Sequence, residues 1–307
     1  MSMTSWSGRH VLVTGGTGFI GSFLVEHLLD MGARVRVPLR AQSYRALSGR
    51  RAEVEWLEGD LRDSEYCLKL VEGVDYVFHL AANRRNVEYH QKRCSDVAQE
   101  NVRMTLALLA ALKERDPVPV TFFSTANVPP TIDTIAISQQ EVVDGYVLGK
   151  ALCETLWFAA SHQRSFPLLI VRPVGAYGPR DTFSEEGNVI PAFMVKARDN
   201  EKELEVWGNG DQERAFLYVE DLIAAIFKLI DAGAQHIQYI TAPDVMTVRE
   251  LAEKIRDLVR PGLAIRYDPS KPIGGRRVPL VEPHKALQGF KWTPFHEGLK
   301  RTYESWK

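Results

Sequence analysis

The sequence predicts an α/β protein: a doubly wound parallel sheet of the Rossmann type, with a smaller mixed C-terminal substrate lobe. Three observations carry this. An apolar strand runs into the glycine turn Thr14-Gly-Gly-Thr-Gly-Phe-Ile-Gly21. Strand-like and helix-like segments then alternate as far as Arg172, the pattern of successive βαβ units. Beyond Pro179 the segments become short and irregular, and Pro261, Pro269, Pro272, Pro279, Pro283 and Pro294 crowd the end.

The elements follow in order. His10 to Thr14 reads as a strand, and Phe19 to Met31 as an amphipathic helix closed by Gly32, a normal C-terminal signal. Strands are predicted over Arg34 to Leu39 and Val54 to Leu57, then a helix over Ser64 to Glu72 stopped by Gly73. Asp75 to Ala81 is a buried strand, and a long helix covers Ser95 to Arg115, ended by Pro117 and Pro119. Val120 to Ser124, Gly145 to Gln163 and Leu168 to Arg172 complete the alternation as strand, helix and strand. Residues 1–178 are expected to form the dinucleotide-binding domain, with 215–241 returning to it and 179–307 mainly forming the substrate lobe.

Composition narrows the function classes. A chain of 307 residues can bury a large core, and a net charge of -1 without a basic cluster interleaved with aromatics argues against nucleic acid. Cys67, Cys94 and Cys153 lack paired close spacing, which predicts a reducing compartment and no metal site. Met1 to His10 is polar, and no run approaches the roughly 18 apolar residues of a membrane span. A cytoplasmic location with no membrane partner is expected.

The glycine turn carries the first chemistry. Gly16 and Gly18 let the backbone turn tightly and admit a phosphate, while Gly21 lets the following helix approach the sheet. Together with Gly15, Phe19 and Ile20 they form a helix start whose free N–H groups face an anion. The position that favours NAD with an acidic side chain is here Leu39, followed by Arg40 and Ser43. A guanidinium with a nearby hydroxyl suits a 2′-phosphate, so NADP(H) is predicted, with NAD(H) the alternative. Asp60 is placed at the adenine edge or in a turn.

Tyr146 and Lys150 stand four apart on a predicted helix and share a face. An ammonium about 4 Å from the phenol would contribute on the order of 4 kcal/mol, enough to bring it toward working pH. Thr125 ends the fifth strand, where its hydroxyl can orient a sugar oxygen, with Ser124 as the fallback.

These residues resemble the extended short-chain dehydrogenase/reductase family of nucleotide-sugar epimerases, dehydratases and reductases. The resemblance covers nearly the whole chain through TGGTGFIG (14–21), GD (59–60), HLAA (79–82), Asn101, Thr125/Tyr146/Lys150, RPVGAYGP (172–179), NVIP (188–191) and WGNGDQERAFLYVED (207–221). It implies cofactor contacts at Leu61, Leu80, Ala81, Ala82 and Asn101 as well as the glycine turn. It implies nucleotide-sugar contacts at Asn127, Asn188, Val189, Arg214 and Arg276 or Arg277, and a homodimer paired through the helices near 95–115 and 145–163.

Departures from the family pattern narrow the reaction. The dehydratases carry an Asp-Glu pair where this chain has Ala126-Asn127, which argues against dehydration. The motif set looks closest to the GDP-fucose synthase branch, whose Cys and His for C3/C5 proton transfer align with Asn127 and Asn188. Asparagine cannot shuttle protons near neutral pH, so epimerisation at C3/C5 is expected to be lost. Gly175 and Ala215 also replace the family's usual Asn and acidic residue. Three readings follow: an NADP(H)-dependent reductase of a 4-keto nucleotide sugar, a C4 epimerase with tightly held cofactor, or a non-catalytic cofactor sensor. Arg84 and Arg85 are expected at the pocket rim, His79 in the core, and His90 and Cys94 receive no role.

Overall fold

The computed structural model describes residues 5–40, 45–130, 136, 143–185, 187–200, 202–241, 243–271 and 282–307. The central sheet has seven parallel strands, β1 (His10–Thr14), β2 (Arg34–Leu39), β3 (Val54–Glu58), β4 (Tyr76–His79), β5 (Val120–Phe123), β6 (Leu168–Pro173) and β10 (His236–Ile240). Their order is β3-β2-β1-β4-β5-β6-β10. The order reverses between β1 and β4, which opens a crevice at the carboxyl ends of the strands where ligands bind in such sheets.

Side-chain alternation along the strands feeds two cores. Val11 and Val13 of β1 face one cluster with Leu24, Val25 and Leu28 of α1 (Phe19–Asp30) and Leu222 and Ile226 of α7 (Val219–Asp231). Leu12 faces the other, with Leu70 of α2 (Ser64–Leu70), Leu108 and Leu112 of α4 (Cys94–Lys113), and Trp157 of α5 (Gly145–Arg164). Burial on both faces explains why the strands read as continuous apolar runs.

A third core holds the remaining chain together. It is built by α6 (Val189–Asp199), α8 (Val248–Val259) and α9 (Phe295–Glu304) against two small sheets. In one, β9 (Glu213–Tyr218) pairs with β7 (Gly175–Tyr177) and β11 (Val245–Thr247); in the other, β8 (Glu203–Trp207) pairs with β12 (Ala264–Asp268). The segment 215–241 is therefore divided: β9 joins a small sheet, whereas α7 and β10 join the large one.

The end of β4 and the segment after it differ from the sequence reading. β4 ends at His79 rather than Ala81 because its partner β1 ends opposite, at Thr14. Past it, the Leu80 N–H donates to the Thr14 carbonyl and the Ala81 N–H to the Thr14 hydroxyl at 3.2 Å. A short helix not anticipated from sequence, α3 (Val87–Lys92), then begins at Asn86, whose side chain accepts from the Tyr89 N–H at 2.9 Å.

Candidate active site

The glycine turn lies between β1 and α1 and has the close packing a dinucleotide cradle requires. Gly15 adopts φ +74°, and a Cβ on Gly21 would collide with the Gly15 carbonyl. A Cβ on Gly16 would press on both Val37 methyls at 2.9 Å. The α1 N-cap is Gly18, so no side chain occupies the first-turn N–H groups, and these groups favour an anion. The residues present thus fit a dinucleotide pyrophosphate.

Around this cradle the other expected cofactor residues fall unevenly. Arg40 directly follows β2 and is exposed, while Ser43 lies outside the described residues. Asp60 follows β3 and accepts from the Arg62 guanidinium at 2.5 Å, and that pairing, foremost, holds its carboxyl below the usual range. Leu61, Leu80, Ala81 and Ala82 are partly exposed at the same ends of the strands. Asn101 is buried on α4, where its Oδ1 accepts from the Asn83 N–H at 2.7 Å. It shapes the loop after β4 from beneath.

Tyr146 and Lys150 share one face of α5. The Lys150 Nζ lies 5.8 Å from the Tyr146 ring centroid and donates to the Phe123 carbonyl at 2.6 Å. Only 2% of Lys150 is exposed, and burial pulls its pKa down to about 8. Burial likewise pushes the Tyr146 phenol up, with Arg84 pulling it back. The acidification expected from Lys150 at about 4 Å is therefore not the balance found: the ammonium is engaged with the end of β5. The tyrosine end of the helix is fixed by Asp144, whose Oδ1 accepts from the Tyr146 and Val147 N–H groups at 2.9 and 3.2 Å.

Ser124 and Thr125 part ways at the end of β5. The Ser124 hydroxyl is buried and donates to the Glu154 carboxylate. Thr125 is partly exposed, and its Oγ1 accepts from the Asn127 N–H at 3.3 Å. Thr125 is thus the hydroxyl left facing outward. Its segment is clamped from behind by Arg172, which is fully buried against Glu154 (Nε to Oε1 2.9 Å, Nη2 to Oε2 2.5 Å). The same guanidinium donates to the Val128 and Pro129 carbonyls at 3.2 and 2.9 Å and to the Tyr239 hydroxyl at 2.5 Å. In sequence this arginine looks like one more motif residue, and nothing there marks it as half of a buried pair.

Two histidines resolve differently. His79 is the core residue expected: Nδ1 meets the Thr14 hydroxyl at 2.7 Å, Nε2 the Thr105 hydroxyl at 3.3 Å, and burial lowers its pKa to about 3. His90, assigned no role from sequence, stacks on Tyr146 with ring centroids 5.2 Å apart and an interplanar angle of 17°. The Arg85 N–H donates to its Nε2 at 2.8 Å. Close packing of α5 on the start of α4 makes this possible, because a Cβ on Gly145 would collide with the Cys94 backbone.

A cavity of about 540 Å³ opens beside these residues. One wall is Arg84, Arg85, Tyr89 and Arg93 from the loop after β4 and from α3; the other includes Asp181 and Asn188. The Asn188 amide donates to both Asp181 oxygens at 3.1 and 2.9 Å, leaving its own carbonyl to accept. Val189 opens α6, packed against the third core. Asn127 is exposed after β5, and Arg214 lies on β9 opposite Met246. Arg276 and Arg277 lie outside the described residues.

A parallel dinucleotide sheet whose switch-point crevice meets a helix-borne tyrosine and lysine defines a nicotinamide-dependent oxidoreductase or epimerase of the extended short-chain type. The chain belongs to the NAD dependent epimerase/dehydratase family, which residues 11–240 match. It is 30% identical over 321 residues to dTDP-4-dehydro-6-deoxy-D-allose reductase of Streptomyces bikiniensis, covering 98% of this chain and 97% of that one. Probable GDP-L-fucose synthase 1 of Oryza sativa subsp. japonica is 28% identical, covering 97% and 92%. The structure of UDP-N-acetylglucosamine 4-epimerase from Methanobrevibacter ruminantium M1, in complex with UDP-N-acetylmuramic acid, superimposes with a TM-score of 0.82 at 25% identity. That match covers 98% of both chains. No helix among the described residues is long and apolar enough to cross a membrane.

Proposed function

We propose that the protein is an NADP(H)-dependent reductase acting on a 4-keto nucleotide sugar. The observation that carries the reading is the Lys150 bond to the Phe123 carbonyl, which sets the helix bearing Tyr146 and Lys150 against the end of β5, two residues before Thr125, in the same sheet as a glycine turn packed tightly enough for a dinucleotide. The relative named for a 4-dehydro sugar, matched along 98% of this chain, supports a ketone as substrate.

Held by the turn of Gly15, Gly16, Gly18 and Gly21, a nicotinamide cofactor would supply hydride chemistry at the sugar C4. Thr125 holds the C4 oxygen through its hydroxyl, and Tyr146 gives its phenolic proton to the oxygen as charge develops there. Lys150 binds the cofactor ribose and keeps a positive charge behind the phenol. Asn188 and Val189 contact the base, Asn127 the sugar, and Arg214 with Arg276 or Arg277 the diphosphate, where bidentate guanidinium binding suits two phosphates. Arg40 and Ser43 take the 2′-phosphate, with Asp60, Leu61, Leu80, Ala81 and Ala82 lining the rest of the cofactor groove. Asn101 enters this reading through its bond to the loop after β4. A homodimer through α4 and α5 belongs to the reading, supported by Leu106, which stands 47% exposed on α4.

Mass spectrometry of a panel of 4-keto and intact nucleotide sugars incubated with NADPH tests it. Stoichiometric NADPH oxidation with formation of the 4-hydroxy sugar is expected. Interconversion of intact sugars without net NADPH consumption replaces it with a C4 epimerase. Full activity in Tyr146→Phe removes the enzymatic role of the phenol altogether.

A further inference from the structure

Two cations stand at nearly equal distance from the Tyr146 ring, and they differ in what else they do. Lys150 is buried and already donates to the Phe123 carbonyl at 2.6 Å. Arg84 is exposed at the loop after β4, its guanidinium carbon 6.0 Å from the ring centroid. It has no carboxylate partner in an ion pair among the described residues, and it walls the 540 Å³ cavity. His90 lies nearly parallel to the same phenol.

We propose that Arg84 is a positioning residue for Tyr146, a second cation that steadies the phenol's oxygen when its proton leaves and that links this site to the cavity. The inference rests on the reading of Tyr146 as the acid–base group, and adds that Lys150 does not act alone.

The charges around the phenol support this assignment. From the loop after β4 comes Arg84. His90 of α3 is neutral where its Nε2 accepts the Arg85 N–H, and its other nitrogen lies 3.6 Å from Asp144. From α5 come Asp144, Lys150 and Cys153, with Glu154 committed to Arg172. Strand β4 adds His79, uncharged near neutral pH. Strand β5 adds the neutral hydroxyls of Ser124 and Thr125 at its end. Across the cavity, Asp181 is tied to Asn188. Asp144 and Cys153 oppose loss of the phenolic proton, and Arg84 favours it. Because the guanidinium is exposed, solvent weakens its pull without reversing it.

Fluorotyrosine-labelled protein followed by fluorine NMR reads the Tyr146 ionisation directly, with Tyr146→Phe assigning its signal. Arg84→Gln should raise the Tyr146 midpoint by about one pH unit, while Arg84→Lys retains most of the wild-type value and the other tyrosines do not move. In turnover, the limb of the kcat/KM profile governed by the phenol should move by the same amount. An unchanged Tyr146 midpoint in folded Arg84→Gln overturns the proposal. The titration needs no substrate, so it judges Arg84 even if the keto-sugar panel shows no turnover.

Discussion

The Lys150 ammonium donates to the Phe123 carbonyl at 2.6 Å, tying α5 to the strand whose end leads into Thr125. The bond positions a charge where burial penalises it. The folded pKa of about 8 lies below the ordinary value of 10.5, so the unfolded chain binds more protons between these values. Stability therefore rises with pH across that window and is lowest where the amine is charged in both states.

Replacing Lys150 with Met should remove that penalty. At neutral pH the variant is expected to gain about 2 kcal/mol, less than the full linkage of about 3 kcal/mol because the Phe123 carbonyl loses its donor. Urea melts across pH should show the gain shrinking from about pH 8 upward and gone near the ordinary lysine value of 10.5. Turnover should fall at least about a hundredfold in the same variant.

Glu154 and Arg172 are fully buried and hold one another. Glu154→Gln leaves the guanidinium without its counter-charge, and a loss of about 3–5 kcal/mol in chemical denaturation is expected. Replacing both residues with methionine should recover a large part of that stability. Activity should not return with it, because the Val128 and Pro129 carbonyls lose the donor that fixes the chain after Thr125.

Gly145→Ala places a methyl group against the Cys94 backbone, whereas at Gly149 the nearest Ala98 atom would be 3.0 Å away. The first substitution should cost about 1–3 kcal/mol by overpacking and disturb Tyr146 next to it; the second should cost less. Thermal melts and the intensity of the Tyr146 signal in NMR measure the two effects separately.

Arg40→Glu should weaken NADPH at least about tenfold by removing an attraction and adding a repulsion. NADH should bind as well as before or better. Fluorescence titration of both cofactors decides, and an unchanged preference would mean that Arg40 does not meet the 2′-phosphate.

Much of the fold was legible because its signals are local. The glycine turn, the two-sided apolar strands and the helix stops at Gly32 and Gly73 each depend on a few neighbouring residues. Tyr146 and Lys150 were legible for the same reason, lying one helical turn apart. His90 was not: it reaches Tyr146 only because α4 and α5 approach closely through Cys94 and Gly145, a contact between distant parts of the chain. The Arg172 pair was hidden in the same way, since Glu154 lies on an amphipathic helix where an acidic residue reads as surface. The expected acidification of Tyr146 by Lys150 missed for a different reason. Helical spacing gives a shared face, but it does not say how strongly burial will oppose charge on both groups.

The tight seam between α4 and α5 also constrains how this catalyst can be altered. Small residues at Cys94, Ala98, Gly145 and Gly149 leave the phenol-bearing helix almost no room to shift, so substitutions along the seam should mostly be lost to selection. Variation in what the protein accepts is better sought among Asp181, Thr182, Ser184 and Gly187, which wall the cavity. A mutant library confined to those positions should yield altered substrate preferences with α5 and the Tyr146 surroundings undisturbed.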